Sequence, residues 1–188
     1  MKLYLLRHAL IPENENGING SWTDSALSEK GEAQARDLTG VLSRNTYDLF
    51  IVSPLQRTQQ TIQPYLDTLG NPEVLVDELV IERNLGDLTN TIKGDGKIEK
   101  SIRESGLNKI EWRPSSGESI VDVYGRAKTF FEKIKKQYPN KTLLICSHRN
   151  FLRCLELVVL HKSIEDFYIE EPPMPAIIKN VELREYEC

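Results

Sequence analysis

Three places in the chain deliver cationic and imidazole side chains in a pattern that suits an anion. Arg7-His8 follows the apolar run Leu3, Tyr4, Leu5 and Leu6, and Ser53-Pro54-Leu55-Gln56-Arg57 follows Leu49, Phe50, Ile51 and Val52. The third, Ser147-His148-Arg149-Asn150, follows Leu143, Leu144, Ile145 and Cys146. An arginine presents a planar fork of N–H donors that fits carboxylate or phosphate oxygens, and an imidazole changes charge close to neutral pH. One such stretch alone is a polar strand end meeting solvent. Three apolar runs ending in the same chemistry point to one shared anion site.

Each run is short, continuous and apolar, as a strand buried on both faces must be, and too short for a helix. In open α/β sheets ligands bind outside the carboxyl ends of the strands, which is where these residues would fall. Between the strands the periodicity predicts a helix over 27–42, with Ser28 as N-cap and Gly31 weakening its first turn. A second helix is expected to start with Ser53 as cap and Pro54 at the first helical position, and to kink at Pro64. A strand over 74–81 is interrupted by Asp77-Glu78. The clearest helix covers 119–138, where Ile120, Val123, Tyr124, Ala127, Phe130, Phe131 and Ile134 share one face. A strand at 142–146 and a helix at 150–160 follow. The alternation over 177–186 predicts an edge strand, after a turn at Pro172-Pro173-Met174-Pro175. Two stretches read as irregular. Leu10 to Ser25 is long enough to border a site, and Gly86 to Ser116 reads as a lid-like excursion holding one short helix. Strands alternating with helices predict a single domain over 1–188. Its architecture is a three-layer α/β/α sandwich with a mostly parallel sheet and one antiparallel edge strand.

The order Arg7-His8-Ala9, Ser53-Pro54-Leu55-Gln56-Arg57, Glu82-Arg83, His148-Arg149-Asn150 resembles the histidine phosphatase superfamily, the phosphoglycerate mutase-like fold, over nearly the whole chain. The resemblance implies that His8 is a nucleophile that carries the phosphoryl group, and that His148 binds and neutralises the phosphoryl oxygens. It implies that Glu82, in Ile81-Glu82-Arg83-Asn84-Leu85-Gly86-Asp87-Leu88, is the proton donor. By residue type alone Asp24, Asp77 and Glu78 compete for that role. Arg7, Arg57 and Asn14 are expected to bind phosphate, and Gly20, Ser21, Arg83 and Arg149 to contact substrate. The chain departs from the family pattern at Ala9 and Arg149, both of which stand where the family carries glycine. Glycine there lets backbone approach phosphate closely, and Arg149 either supplies a further cation or occludes the site.

The function implied is hydrolysis of a small phosphate monoester through a phosphohistidine, without metal or cofactor. A mutase-type transfer is the first alternative; it is disfavoured because the chain is short and the excursion small for enclosing the site. A binding protein that has lost turnover is the second, with His8 and Glu82 counting against it. Composition agrees with a globular chain: of 188 residues 39% are hydrophobic and 28% charged. A net charge of −4 gives no reason to expect nucleic acid or an anionic membrane as partner. The expected partner is a small phosphorylated metabolite, and a homodimer is compatible with the sequence. No apolar run has the length of a membrane span, so a cytoplasmic location is expected. Cys146, Cys154 and Cys188 lack Cys-x-x-Cys spacing, which argues against a disulfide framework or zinc ribbon. Neither His-x-x-x-His nor Gly-x-Ser-x-Gly occurs, which disfavours a zinc or serine hydrolase.

Overall fold

Successive side chains of a strand point to opposite faces, and in this sheet both faces are apolar. The computed structural model describes every residue except 71, 171–175 and 177. Its strands are β1 (Lys2–Arg7), β2 (Leu49–Val52), β3 (Val74–Val76), β4 (Thr142–Ser147) and β5 (Leu183–Glu187), in the order β3-β2-β4-β1-β5. All neighbours pair parallel except β1 and β5, which run antiparallel. Leu3, Leu5, Ile51, Leu143 and Ile145 face one way, into a core with α5 (Ile120–Gln137) and α6 (Arg149–Val159). Tyr4, Leu6, Phe50, Val52, Leu144 and Cys146 face the other way, against α2 (Glu29–Leu42) and α3 (Gln56–Thr68). The continuous apolar runs are therefore two interleaved half-cores, and the architecture is the three-layer sandwich expected.

Helix starts follow local chemistry where that chemistry is complete. Ser28 caps α2 by accepting from the Gly31 N–H, and Ser119 and Asp122 form a reciprocal capping box on α5. Ser53 does not cap α3. Its hydroxyl accepts from the Leu55 N–H, and the helix begins at Gln56, whose N–H is taken by an Asp24 carboxylate oxygen at 2.7 Å. The cap thus comes from a loop some thirty residues upstream. Nor does Pro64 split α3, which runs through it.

The expected strand over 74–81 pairs only at Val74–Val76, because Asp77 accepts from the Leu79 N–H and turns the chain into a 3-10 turn at Glu78–Val80. The loop after β1 carries one helical turn, α1 (Pro12–Glu15), and the excursion carries α4 (Lys97–Ser105) as its one α-helix. The edge strand is shorter than expected, Leu183–Glu187 in place of 177–186. A turn precedes it in which Val181 has φ +54° and its N–H bonds the Arg7 carbonyl. The expected turn at 172–175 lies outside the described residues. Among the described residues no helix is long and apolar enough to cross a membrane.

Candidate active site

Parallel register places the two histidines side by side. Arg7 of β1 pairs with Ser147 of β4, so His8 and His148, one residue beyond each, have ring centroids 5.1 Å apart. The His8 N–H closes the ladder by bonding the Ser147 carbonyl at 3.0 Å. Both imidazoles are buried at the carboxyl end of the sheet, beside a cavity of about 470 Å³ lined by His8, Arg7, Arg57, Glu82 and Asn14 among others.

Hydrogen bonds set the protonation of each ring. A carbonyl can only accept, so the 2.7 Å contact to the Ala9 oxygen makes His8 Nδ1 the donor and leaves a lone pair on Nε2. An arginine can only donate, so the 3.2 Å bond from Arg57 Nε makes His148 Nδ1 the acceptor and puts its proton on Nε2. That Nε2 is buried with no partner among the described residues. Burial first, then repulsion from Arg57 and other nearby charges including Arg7, hold both rings well below the usual imidazole range, so both are neutral at neutral pH. The pair is therefore one buried nitrogen with a free lone pair and one buried N–H donor.

The arginines are held by neutral oxygens. Arg57 donates to the carbonyls of Thr23 (2.5 Å) and Ser21 (2.8 Å), and Arg7 donates to the Ile178 carbonyl at 3.1 Å while its Nε is buried without a partner among the described residues. Burial lowers the Arg7 guanidinium to about 10, which leaves it charged at neutral pH. Buried polar groups nearly always find partners, so the open donors on Arg7 and His148 are chemically suited to an anion.

Glu82 is buried and lines the same cavity. Its Oε1 accepts from the N–H groups of Arg83 (2.8 Å) and Asn150 (3.2 Å), and its Oε2 has no hydrogen bond among the described residues. The backbone around it is clamped. Arg126 donates to the carbonyls of Leu79, Ile81 and Glu82, Trp22 Nε1 donates to the Glu82 carbonyl at 2.6 Å, and Ser147 Oγ to that of Val80. Of the three competing carboxylates, Asp24 caps α3, Asp77 caps the 3-10 turn and Glu78 does not line the cavity.

Asn14, Gly20, Ser21, Arg83 and Arg149 also line the cavity. The Ser21 hydroxyl is engaged, donating to the Arg83 carbonyl and accepting from the Leu85 N–H, and Ser21 has φ +45°. Arg83 lies over Trp112 at 5.2 Å and donates to the carbonyls of Glu118 and Trp112, which ties the excursion to the core. Several cavity residues carried no sequence signal. Lys93 and Glu99 come from the excursion, Tyr168 and Glu170 from the segment after α6. Asn180 was also hidden; it donates to the His8 carbonyl at 2.6 Å. Among the described residues no group of three or more His, Cys, Asp or Glu side chains is placed to hold a metal ion.

Two buried histidines on adjacent parallel strand ends, ringed by arginines, define a phosphoryl-handling α/β protein. Residues 3–186 match the family model of the histidine phosphatase superfamily (branch 1), and the chain belongs to that family. It is 30% identical to phosphoserine phosphatase 1 of Hydrogenobacter thermophilus over 174 residues, 89% of this chain and 80% of that one. It is also 32% identical to 2,3-bisphosphoglycerate-dependent phosphoglycerate mutase 2 of Gloeobacter violaceus over 171 residues, 87% of this chain and 77% of that one. In fold it is similar to a mycobacterial glucosyl-3-phosphoglycerate phosphatase, with a TM-score of 0.82 and 23% identity, covering 98% of this chain and 91% of that one.

Proposed function

We propose that the chain is a phosphatase that hydrolyses a small phosphate monoester through a phosphohistidine on His8, with Glu82 as proton donor and no metal ion. The observation that carries this reading is the Nδ1–H bond from His8 to the Ala9 carbonyl, which leaves Nε2 as a neutral nucleophile. In the first step Nε2 attacks phosphorus in line, the P–O ester bond breaks, and its electron pair goes to the leaving oxygen. That oxygen takes the proton of Glu82. In the second step the Glu82 carboxylate takes a proton from water, the hydroxide oxygen attacks phosphorus, and the P–N bond breaks with its pair returning to Nε2. Arg7, Arg57 and His148 Nε2–H hold the phosphoryl oxygens throughout, supplying the charge that a group of about −1.5 to −2 requires. The excursion over 86–116 acts as the lid of this site.

The test is release of phosphate from an aryl phosphate in excess chelator. The wild type should turn over, His8→Ala should not, and Glu82→Gln should lose roughly 10²- to 10⁴-fold on an alkyl ester but less on the aryl ester, whose leaving oxygen needs little protonation. Loss of activity with chelator, or full activity in His8→Ala, would overturn the mechanism. Mutase-type transfer is a second reading, supported by the 32% identity to a phosphoglycerate mutase. Conversion of 3-phosphoglycerate to its 2-isomer faster than phosphate release would favour it. No phosphate release and no labelling of His8 with any ester would favour a binding protein.

A further inference from the structure

The chain that carries Glu82 has no regular structure of its own. It leaves the 3-10 turn at Glu78–Val80 and runs from Ile81 to Leu85 outside any strand or helix. With no ladder to fix its peptides, it is held by side chains. Arg126 reaches it from α5 with every donor in use. A guanidinium carries five N–H groups in a planar fork, and Arg126 makes five bonds. Three go to the chain around the acid, at 2.7 Å to the Leu79 carbonyl, 3.0 Å to that of Ile81 and 3.3 Å to that of Glu82. Two go to Glu118, whose Oε1 and Oε2 accept at 2.9 and 3.0 Å.

Glu118 grips the same chain on the far side of the acid. Its Oε2 also accepts from the Asn84 N–H at 2.9 Å, its own N–H bonds the Asn84 carbonyl at 2.8 Å, and its carbonyl accepts from Arg83 Nε. It stands directly before Ser119, the N-cap of α5, so Glu82 is bracketed by two residues fixed to one helix. Their side chains are only 18% and 19% exposed, and neither is among the described residues that line the cavity. The Arg126 charge is matched by Glu118, which leaves geometry as what this residue can give the site.

That geometry reaches the carboxyl through one peptide. Arg126 and Trp22 hold the Glu82 carbonyl, and the N–H of the same peptide unit, that of Arg83, bonds Glu82 Oε1. A peptide is planar, so fixing the direction of its carbonyl fixes that of its N–H. We infer that Arg126, locked by Glu118, is a positioning residue for the proton donor, fixing the Glu82–Arg83 peptide and thereby aiming the Glu82 carboxyl at the leaving oxygen. The inference rests on the phosphatase reading and on Glu82 as its acid.

The test compares an alkyl with an aryl phosphate, because the alkoxide is the leaving group that needs the proton. Arg126→Lys keeps the charge but offers a single point of donors in place of a fork. Its kcat should fall about 10- to 100-fold on the alkyl ester and less than about threefold on the aryl ester, with KM unchanged for both, as a misaimed acid predicts. In a Glu82→Gln background the same substitution should cost less than about threefold on either ester, since the acid it aims is gone. Amide hydrogen exchange gives a reading that needs no turnover. The Arg83 and Asn150 amides, which bond Glu82 Oε1, should exchange about tenfold faster in Arg126→Lys, while those of β1 and β4 keep their rates. Should that variant fold poorly, Glu118→Gln leaves the arginine in place but loosens its lock, and should give the same pattern at smaller amplitude. Equal losses on both esters, losses that persist beside Glu82→Gln, or unchanged exchange at both amides would overturn the inference. A wild type that hydrolyses neither ester would sink the phosphatase reading instead, and exchange at the two amides would then decide whether Arg126 holds the carboxyl.

Discussion

At the scale of single residues, the site keeps its positive charge because carbonyls, not carboxylates, hold its arginines. Arg57 bonds the oxygens of Ser21 and Thr23, and Arg7 that of Ile178, so neither charge is cancelled before a ligand arrives. Burial first, and then the same charges, keep His8 and His148 neutral. The consequence for stability has a definite sign. The folded pKa of each ring lies well below 6.5, so below pH 6.5 the unfolded chain takes up protons that the folded chain refuses. Their contribution is complete above that pH and is lost as the pH falls. The urea midpoint should therefore drop from pH 7.5 to pH 5, with about 1.4 kcal/mol at stake for each unit of separation. His148→Asn should flatten the profile, and inorganic phosphate, whose charge favours the protonated rings, should oppose the loss. A midpoint equally sensitive to acid in His148→Asn would refute the assignment. Arg7, His8 and His148 were legible in the sequence because each stands at the end of an apolar run, and Arg57 because it closes the Ser53-Pro54-Leu55-Gln56-Arg57 stretch that follows one. Lys93 and Asn180 were not, since each sits in irregular chain and reaches the site only through the path of its loop.

At the scale of elements, what was legible depends on how far away the deciding partner lies. The three central strands were readable because their burial on both faces needs an unbroken apolar run, and the capped helices because cap and first turn are contiguous. The start of α3 was hidden because its cap is Asp24, and the short pairing of β3 because Asp77 turns the backbone. Gly31 shows the same distinction. Read locally it only weakens α2, but a Cβ there would lie 2.0 Å from the Leu10 carbonyl oxygen, two residues beyond His8. Glycine lets the first turn of α2 pass against the loop that leaves β1. Gly31→Ala should thus destabilise the fold, by roughly 1–3 kcal/mol as overpacking does, where helix propensity alone predicts a gain. Chemical denaturation decides between the two signs. Gly86 makes a second close approach, at φ +50° with a Cβ position 1.8 Å from the Ser115 carbonyl oxygen, and so closes the neck of the excursion.

At the scale of the whole molecule, a net charge of −4 coexists with a cavity lined by Arg7, Arg57, Arg83, Lys93 and Arg149 against Glu82, Glu99 and Glu170. The order of the sheet governs something else, the timing of assembly during synthesis. Strand β1 is made first, yet its two neighbours are β4, at Thr142–Ser147, and β5, at Leu183–Glu187. A chain leaving the ribosome therefore exposes the apolar face of β1 until β4 and β5 have emerged, and contacts this distant in sequence form slowly. Ribosome-bound chains halted before β4 has cleared the exit tunnel should be digested readily by protease, and chains halted after β5 has cleared it should resist. Resistance at the earlier point would mean that β1 finds a temporary partner. The register that sets His8 against His148 thus also makes the histidine pair a late contact for a newborn chain, and leaves the cavity they border unassembled until β1 has met β4.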